Sequence, residues 1–312
     1  MITHSPSQYF QHTLNRSISF IGRGLHTGLA IRMMIQPAPA NTGHIFVRQD
    51  VPLDQAEVPA RWNTVTDTRL STTVANRFGV KVATIEHLMA ALHACGVDNA
   101  RIVLNGPEVP IMDGSAEPFV RLIRQVGLQQ QEEERRAILV RKPVRVEEDG
   151  KSASLLPNPR PWMDMTIEFD SEVIGHQHLS VSVEAESFET ELANARTFGF
   201  EDQINTLRKL GLAKGGSLQN AVLVNEKGVV NAEGLRHADE FVRHKILDAI
   251  GDLSLAGMPI IGRFNGFCSG HGLNNTLLRK LLQSVDSWTL TTMRGAEEYW
   301  NWTRVQKMPS GW

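Results

Sequence analysis

Along residues 241–253, FVRHKILDAIGDL, apolar side chains occupy most of a helical circumference while the charged ones gather on one narrow stripe. At about 100° per residue, Asp248 lies about 40° and Asp252 about 80° round from His244, with Lys245 close beside them. Val242, Ile246, Leu247, Ala249, Ile250 and Leu253 fill the remaining sides, and Gly251, on the charged side, leaves room for a close approach. A helix apolar on nearly every other side is a buried one, and buried charges persist only where they pair, hydrogen-bond or bind a metal. The stripe therefore needs partners from elsewhere in the chain.

In the first half, short alternating runs read as strands at residues 17–21, 30–35 and 44–48, with the loop PAPANTGH between the last two. TIEHLMAALHAC, residues 84–95, reads as an amphipathic helix capped by Thr84 and stopped at Gly96, with the strand ARIVLNG after it. LQQQEEERR has no apolar periodicity and is the best candidate linker, which places a boundary at residues 129–136 between a domain of 1–128 and one of 137–312. The second half offers strands within 137–147 and 163–169, a helix-like run at 188–195, a Gly215-Gly216 turn and the strand AVLV ahead of the charged helix. Without a regular βαβα alternation or a GxGxxG fingerprint, the expected class is α+β with mixed or antiparallel sheets. IGRGLHTG lacks the spacing and the closing Gly-Lys-Ser/Thr of a phosphate loop.

Composition narrows the function classes. A chain of 312 residues is long for a single core and suggests two domains. With 32 Lys and Arg against 34 Asp and Glu, no global basic field exists to attract nucleic acid. Two cysteines, Cys95 and Cys268, are too few for a disulfide scaffold and fit a reducing compartment. The N-terminus has neither the apolar core nor the cleavage site of a signal peptide, and no apolar run approaches the roughly 18 residues of a membrane span. A soluble cytoplasmic protein with no integral membrane segment is expected.

His244 and Asp248, at i and i+4, can direct two ligands at one metal ion from one helical face, a weak signal until a second cluster complements it. Glu86-His87 supplies that cluster at a helix start, where the dipole favours an ionised Glu and a neutral, metal-competent His. The order is not that of HExxH, and His93, six residues on, reads as an ordinary helix histidine. His271 lies in SGHGLNN between Gly270 and Gly272, a loop flexible enough to project an imidazole. DGSAEPF reads as an Asp113-Gly114 turn leading into a helix and is assigned no chemistry.

Taken together, GLHTG, DTRLST, TIEHLMAAL, PEVPIMDGSAEPF, ARTFGF, GGS, DEFVRHKILDAIGDL and SGHGLNN, in this order, resemble the UDP-3-O-acyl-N-acetylglucosamine deacetylases over nearly the whole chain. These are zinc amidases of lipid A biosynthesis in Gram-negative bacteria. The resemblance implies two domains of similar topology, each layering helices against sheets, with the active site between them. It makes His87, His244 and Asp248 the ligands of one zinc ion, with iron(II) as the alternative in the cell. Glu86 is then the general base, Thr197 a donor to the oxyanion, His271 the cationic histidine and Asp252 the group that orients it. For the substrate it implies Lys245 and Lys142 at the phosphates, Phe169 against the uracil and Phe198 beside the sugar. Leu25, Phe200, Ala213, Leu218 and Leu223 would line a passage for the acyl chain, into which Lys214 and Asn220 introduce polarity. Ser71 and Thr73 stand where some members carry cysteine. A monomer acting without a fused dehydratase domain is expected, the chain ending soon after the resemblance at KMPSGW. The alternatives are a metal-dependent amidase of another substrate and a non-catalytic binder of nucleotide-sugar or lipid, which loss of Glu86 or His271 would have favoured.

Overall fold

The computed structural model describes residues 6–306; the first five residues and the closing KMPSGW lie outside it. Helices α1 (Glu86–Ala94), α2 (Glu117–Val126), α3 (Glu201–Lys209), α4 (Glu240–Ser254), α5 (His271–Gln283) and α6 (Met293–Gln306) are interleaved with several small sheets, giving the α+β class expected. The two largest sheets have five strands each and repeat one topology. In the first, the order is Ile18–Arg23, Ala30–Pro37, Ala100–Leu104, His44–Arg48, Glu57–Pro59. Its late central strand runs antiparallel to Ala30–Pro37 and parallel to His44–Arg48. In the second, Val144–Glu148, Lys151–Leu156, Arg263–Phe267, Trp162–Glu168 and His176–Ser182 stand in the same order. Arg263–Phe267 is likewise antiparallel to one neighbour and parallel to the other. Each central strand has a helix before it, α1 or α4, and one after it, α2 or α5. The two halves thus share one plan, and α1 and α4 hold equivalent places in it.

Alternation builds these sheets one face at a time. Along Ala30–Pro37, Ile31, Met33 and Ile35 are buried while Ala30, Arg32 and Met34 are exposed, as a strand with one wet face requires. The buried faces of both sheets, with α1, α2, α4 and α5, join one continuous apolar core that crosses from one half to the other. At its centre α1 packs on α4, the most extensive helix pairing among the described residues. Gly251 permits that approach: a Cβ there would lie 2.0 Å from the carbonyl oxygen of Glu86.

Several expectations change in the structure. LQQQEEERR is not a structureless linker: Leu128–Glu134 is a strand paired antiparallel with Phe10–Leu14. Leu128–Glu134 itself is largely exposed, so backbone pairing holds it and no apolar alternation marks it in the sequence. Thr84 does not cap α1; its φ is 56° and its hydroxyl donates to Glu108 Oε1 at 3.0 Å, so the helix opens after Ile85 without a side-chain cap. Residues 137–147 hold two strands, Arg136–Val140 and Val144–Glu148, in different sheets. The run at 188–195 is one short turn, Ala185–Ser187, widening into a π-type turn over Phe188–Leu192. His271 is not in a loop but is the first residue of α5, after an extended Gly270.

Candidate active site

The pairing of α1 with α4 assembles the charged stripe. His87 projects from the first turn of α1, and His244 and Asp248 from successive turns of α4. Their ligand atoms all lie within 4.8 Å of one another and all three residues are buried. Asp248 Oδ1 stands 3.4 Å from His87 Nε2 and 3.3 Å from His244 Nε2. It is also a buried oxygen with no hydrogen-bond partner, while Oδ2 accepts from Lys245 Nζ at 2.8 Å.

His244 and Asp248 are electrostatically set for this arrangement. Burial pushes the His244 imidazole down to about 4, so it is neutral at ordinary pH. Its Nδ1 lies 3.1 Å from the carbonyl oxygen of Ala195, which directs the lone pair to Nε2. Burial alone would raise the Asp248 carboxyl, but the neighbouring His244 imidazole and Lys245 ammonium overcome it and hold the group well below its usual range. The donors suit a divalent cation: two imidazole nitrogens and a carboxylate oxygen, the last left orphaned without one. Three protein ligands are the number that catalytic zinc sites use, with a position left for the reactant.

Around this cluster stand Glu86 and His271, whose ligand atoms also lie within 4.8 Å of one another and of Asp248. Burial raises the Glu86 carboxyl, opposed most by the cationic His271. For His271, burial is outweighed by Asp252, whose Oδ2 lies 2.9 Å from Nδ1, and the imidazole rises to about 9. Sequence reasoning missed two supports here. Thr72, buried, donates its hydroxyl to Asp252 Oδ1 at 2.6 Å and its backbone N–H to Glu86 Oε2 at 2.9 Å. Asn274 donates to Asp252 Oδ2 at 2.9 Å. Asn274 could have been found, since it lies three residues beyond His271 and so on one helical face with it; nothing in the type of Thr72 announces its double contact.

Thr197 sits between two residues that touch His244, Ala195 through its carbonyl and Phe198 through its ring, centroids 6.3 Å apart. Phe169 meets both Phe198 and Phe200, at 5.7 and 5.8 Å between ring centroids. Leu25 and Ala213 come together where two loops dock: Gly215 N–H donates to the carbonyl of Leu25 and Lys214 N–H to that of His26. Glu108, fully buried, accepts from His26 N, Thr27 N and both threonine hydroxyls of Thr27 and Thr84, and so fixes that loop. Leu223 pairs with Gly199 across a short parallel ladder. Leu218 and Lys214 are exposed. Asn220 is buried and spends its amide on Ser217 and Gly215. Lys142, exposed after Arg136–Val140, donates its backbone N–H to the carbonyl of Ser287. His93, partly buried on α1, contributes no ligand to the cluster.

Comparison with known proteins bears on the chain as a whole. A profile of the UDP-3-O-acyl N-acetylglycosamine deacetylase family matches residues 11–283. A UDP-3-O-acyl-N-acetylglucosamine deacetylase of Phenylobacterium zucineum is 47% identical over 283 residues, covering 91% of this chain and 97% of its own. One from Myxococcus xanthus is 45% identical over 292 residues, 94% of this chain and 92% of its own. One from a Geobacter species is 46% identical over 281 residues, 90% of this chain and 92% of its own. With the profile spanning most of its length and such relatives aligned nearly end to end, the chain belongs to the UDP-3-O-acyl N-acetylglycosamine deacetylase family.

Proposed function

We propose that the protein is a zinc-dependent amidase that removes the acetyl group of a UDP-3-O-acyl-N-acetylglucosamine, giving the free amine and acetate, at the committed step of lipid A biosynthesis. The observation that carries this reading is the orphaned, buried Asp248 Oδ1 facing the Nε2 atoms of His87 and His244, with Glu86 and His271 at its side. When bound by these three residues, zinc supplies Lewis acidity and makes water acidic enough to act as a nucleophile near neutral pH.

The remaining steps belong to the chain. Glu86 takes the proton of the attacking water; its burial raises its basicity while the backbone N–H of Thr72 fixes which oxygen is free. His271, cationic and held at Nδ1 by Asp252, keeps Nε2–H for the substrate, where its charge stabilises the oxyanion and its proton can pass to the leaving nitrogen. The Thr197 hydroxyl is a second donor to that oxygen. Phe198 and Phe169 offer faces to the sugar and the uracil, Lys245 a cation to the phosphates, and the docked loops of Leu25 and Ala213, with Phe200, Leu218 and Leu223, a path for the acyl chain. In the same reading the repeated halves are two domains joined near residues 129–136.

Acetate release from UDP-3-O-(3-hydroxyacyl)-N-acetylglucosamine tests this directly. Activity should vanish on chelation and return with one equivalent of zinc. His244→Ala should lose bound metal and turnover together, whereas Glu86→Ala should retain metal and lose at least about 100-fold in kcat, the scale of general base catalysis. Full turnover by the Glu86 variant would overturn the assignment.

A further inference from the structure

Arg196 and Glu240 are 3% and 0% exposed, yet the chemistry above uses neither. Arg196 donates to Glu240 Oε1 from its backbone N and from Nε, both at 2.9 Å, and from Nη2 to Oε2 at 3.2 Å. Its other contacts are Glu233 Oε1 at 2.8 Å and the carbonyl of Gly234 at 2.7 Å. Glu240 Oε2 also accepts from the backbone N of Arg236 at 2.7 Å.

The placement of this pair gives it a consequence beyond packing. Glu240 opens α4 and His244 lies four residues on, so the two share one face of the helix a turn apart. Three consecutive residues run along that face: the Ala195 carbonyl meets His244 Nδ1, Arg196 grips Glu240, and Thr197 follows. Thr197 is pinned by its own backbone, donating to the carbonyl of Gly114 and accepting from Val222 N–H, both at 2.8 Å. Gly114 admits that approach, because a Cβ there would fall 2.1 Å from the carbonyl oxygen of Asn220.

We infer that the Arg196–Glu240 ion pair is a positioning device, which locks segment 195–197 in register with α4 so that one carbonyl orients His244 and one hydroxyl faces the reacting centre. This rests on the function proposed above. A buried ion pair is a poor source of net stability, since desolvating both charges offsets most of their attraction. What a forked guanidinium on a carboxylate does supply is fixed geometry.

Arg196→Lys retains the charge and loses the fork, and Glu240→Gln retains the shape and loses the charge. Each should lower zinc affinity roughly 10-fold, measured by competition with a chromophoric chelator, as loss of an orienting partner does. Each should also lower kcat by at least about 10-fold with KM within about threefold, because a misplaced Thr197 is missed in the transition state rather than in substrate binding. Asp98→Asn, which breaks the Arg135–Asp98 pair at 2.7 Å far along the chain, should lower the melting temperature and leave both readouts unchanged. Folded Arg196 and Glu240 variants with lower melting temperatures but wild-type zinc affinity and kcat would overturn the inference. If neither variant folds, Glu233→Gln decides it at an exposed partner of the same guanidinium: a roughly two- to fivefold fall in zinc affinity supports it and no change refutes it. A wild-type protein that released no acetate would defeat the proposed function alone, because zinc affinity would still judge the pair.

Discussion

Asp248 divides its two oxygens between opposite tasks, Oδ2 held by Lys245 and Oδ1 left open toward two imidazoles. Lys245 is thereby tied to the cluster, and in reaching a phosphate it would have to share or release that contact. His93, on the same helix as His87, shows what an imidazole does without such a task. Burial, reinforced by Arg135 and His44, pushes it down to about 3 from the usual 6.5. Between those values the unfolded chain binds a proton that the folded chain refuses, so stability rises with pH across that window and is lost as acidification proceeds from 6.5 toward 3. Its neighbours in a narrow cleft include Leu155, Trp162, Ile250 and Phe264, which His93→Leu would suit. The variant should therefore lose less stability than the wild type between pH 7 and pH 4 in urea titrations, and parallel curves would refute the argument. At this scale His244, Asp248 and Asp252 were legible because helical periodicity alone puts them on one stripe. Thr72 was not, because half of its contribution is a backbone N–H that every residue but proline carries.

Between elements, the close crossing of α1 and α4 determines whether His87 reaches His244 and Asp248 at all. Gly251→Ala would drive a Cβ into the Glu86 backbone, an overpacking that costs typically about 1–3 kcal/mol. Because the clash falls on the residue beside His87, the variant should lose zinc affinity as well as stability, in denaturant titration and metal competition respectively. A loss of stability alone would show that the helices can separate without disturbing the ligands. Elements with one apolar side were readable, as α4 and the strand Ala30–Pro37 show. The misses share a cause. Leu128–Glu134 buries almost nothing, and α3, with no buried residue, is marked only by Glu201 and Asp202 in its first turn and Arg208 and Lys209 in its last. Such elements are fixed by backbone pairing or end charges, which leave no hydrophobic period behind.

Across the whole molecule, the repeated strand order explains why the site draws on both halves: α1 and α4 occupy equivalent places, and the candidate ligands lie where those equivalents meet. The family resemblance, rather than any repeated residues, implied this similarity, because a shared topology requires only that apolar positions recur on matching faces. The apolar core runs unbroken through this junction, and Phe10–Leu14 of the first half is tied by strand pairing to Leu128–Glu134. With so much surface shared, neither half can lose its packing without exposing the other, so urea should unfold the chain in one transition. Far-UV circular dichroism and tryptophan fluorescence, with Trp62 in one half and Trp162 and Trp288 in the other, should give coincident curves. Zinc bound by residues of both halves should shift both curves together, by about 2.7 kcal/mol at a free concentration 100 times its Kd. Separate midpoints, or a shift confined to one probe, would show two units that fold independently and meet only at the metal.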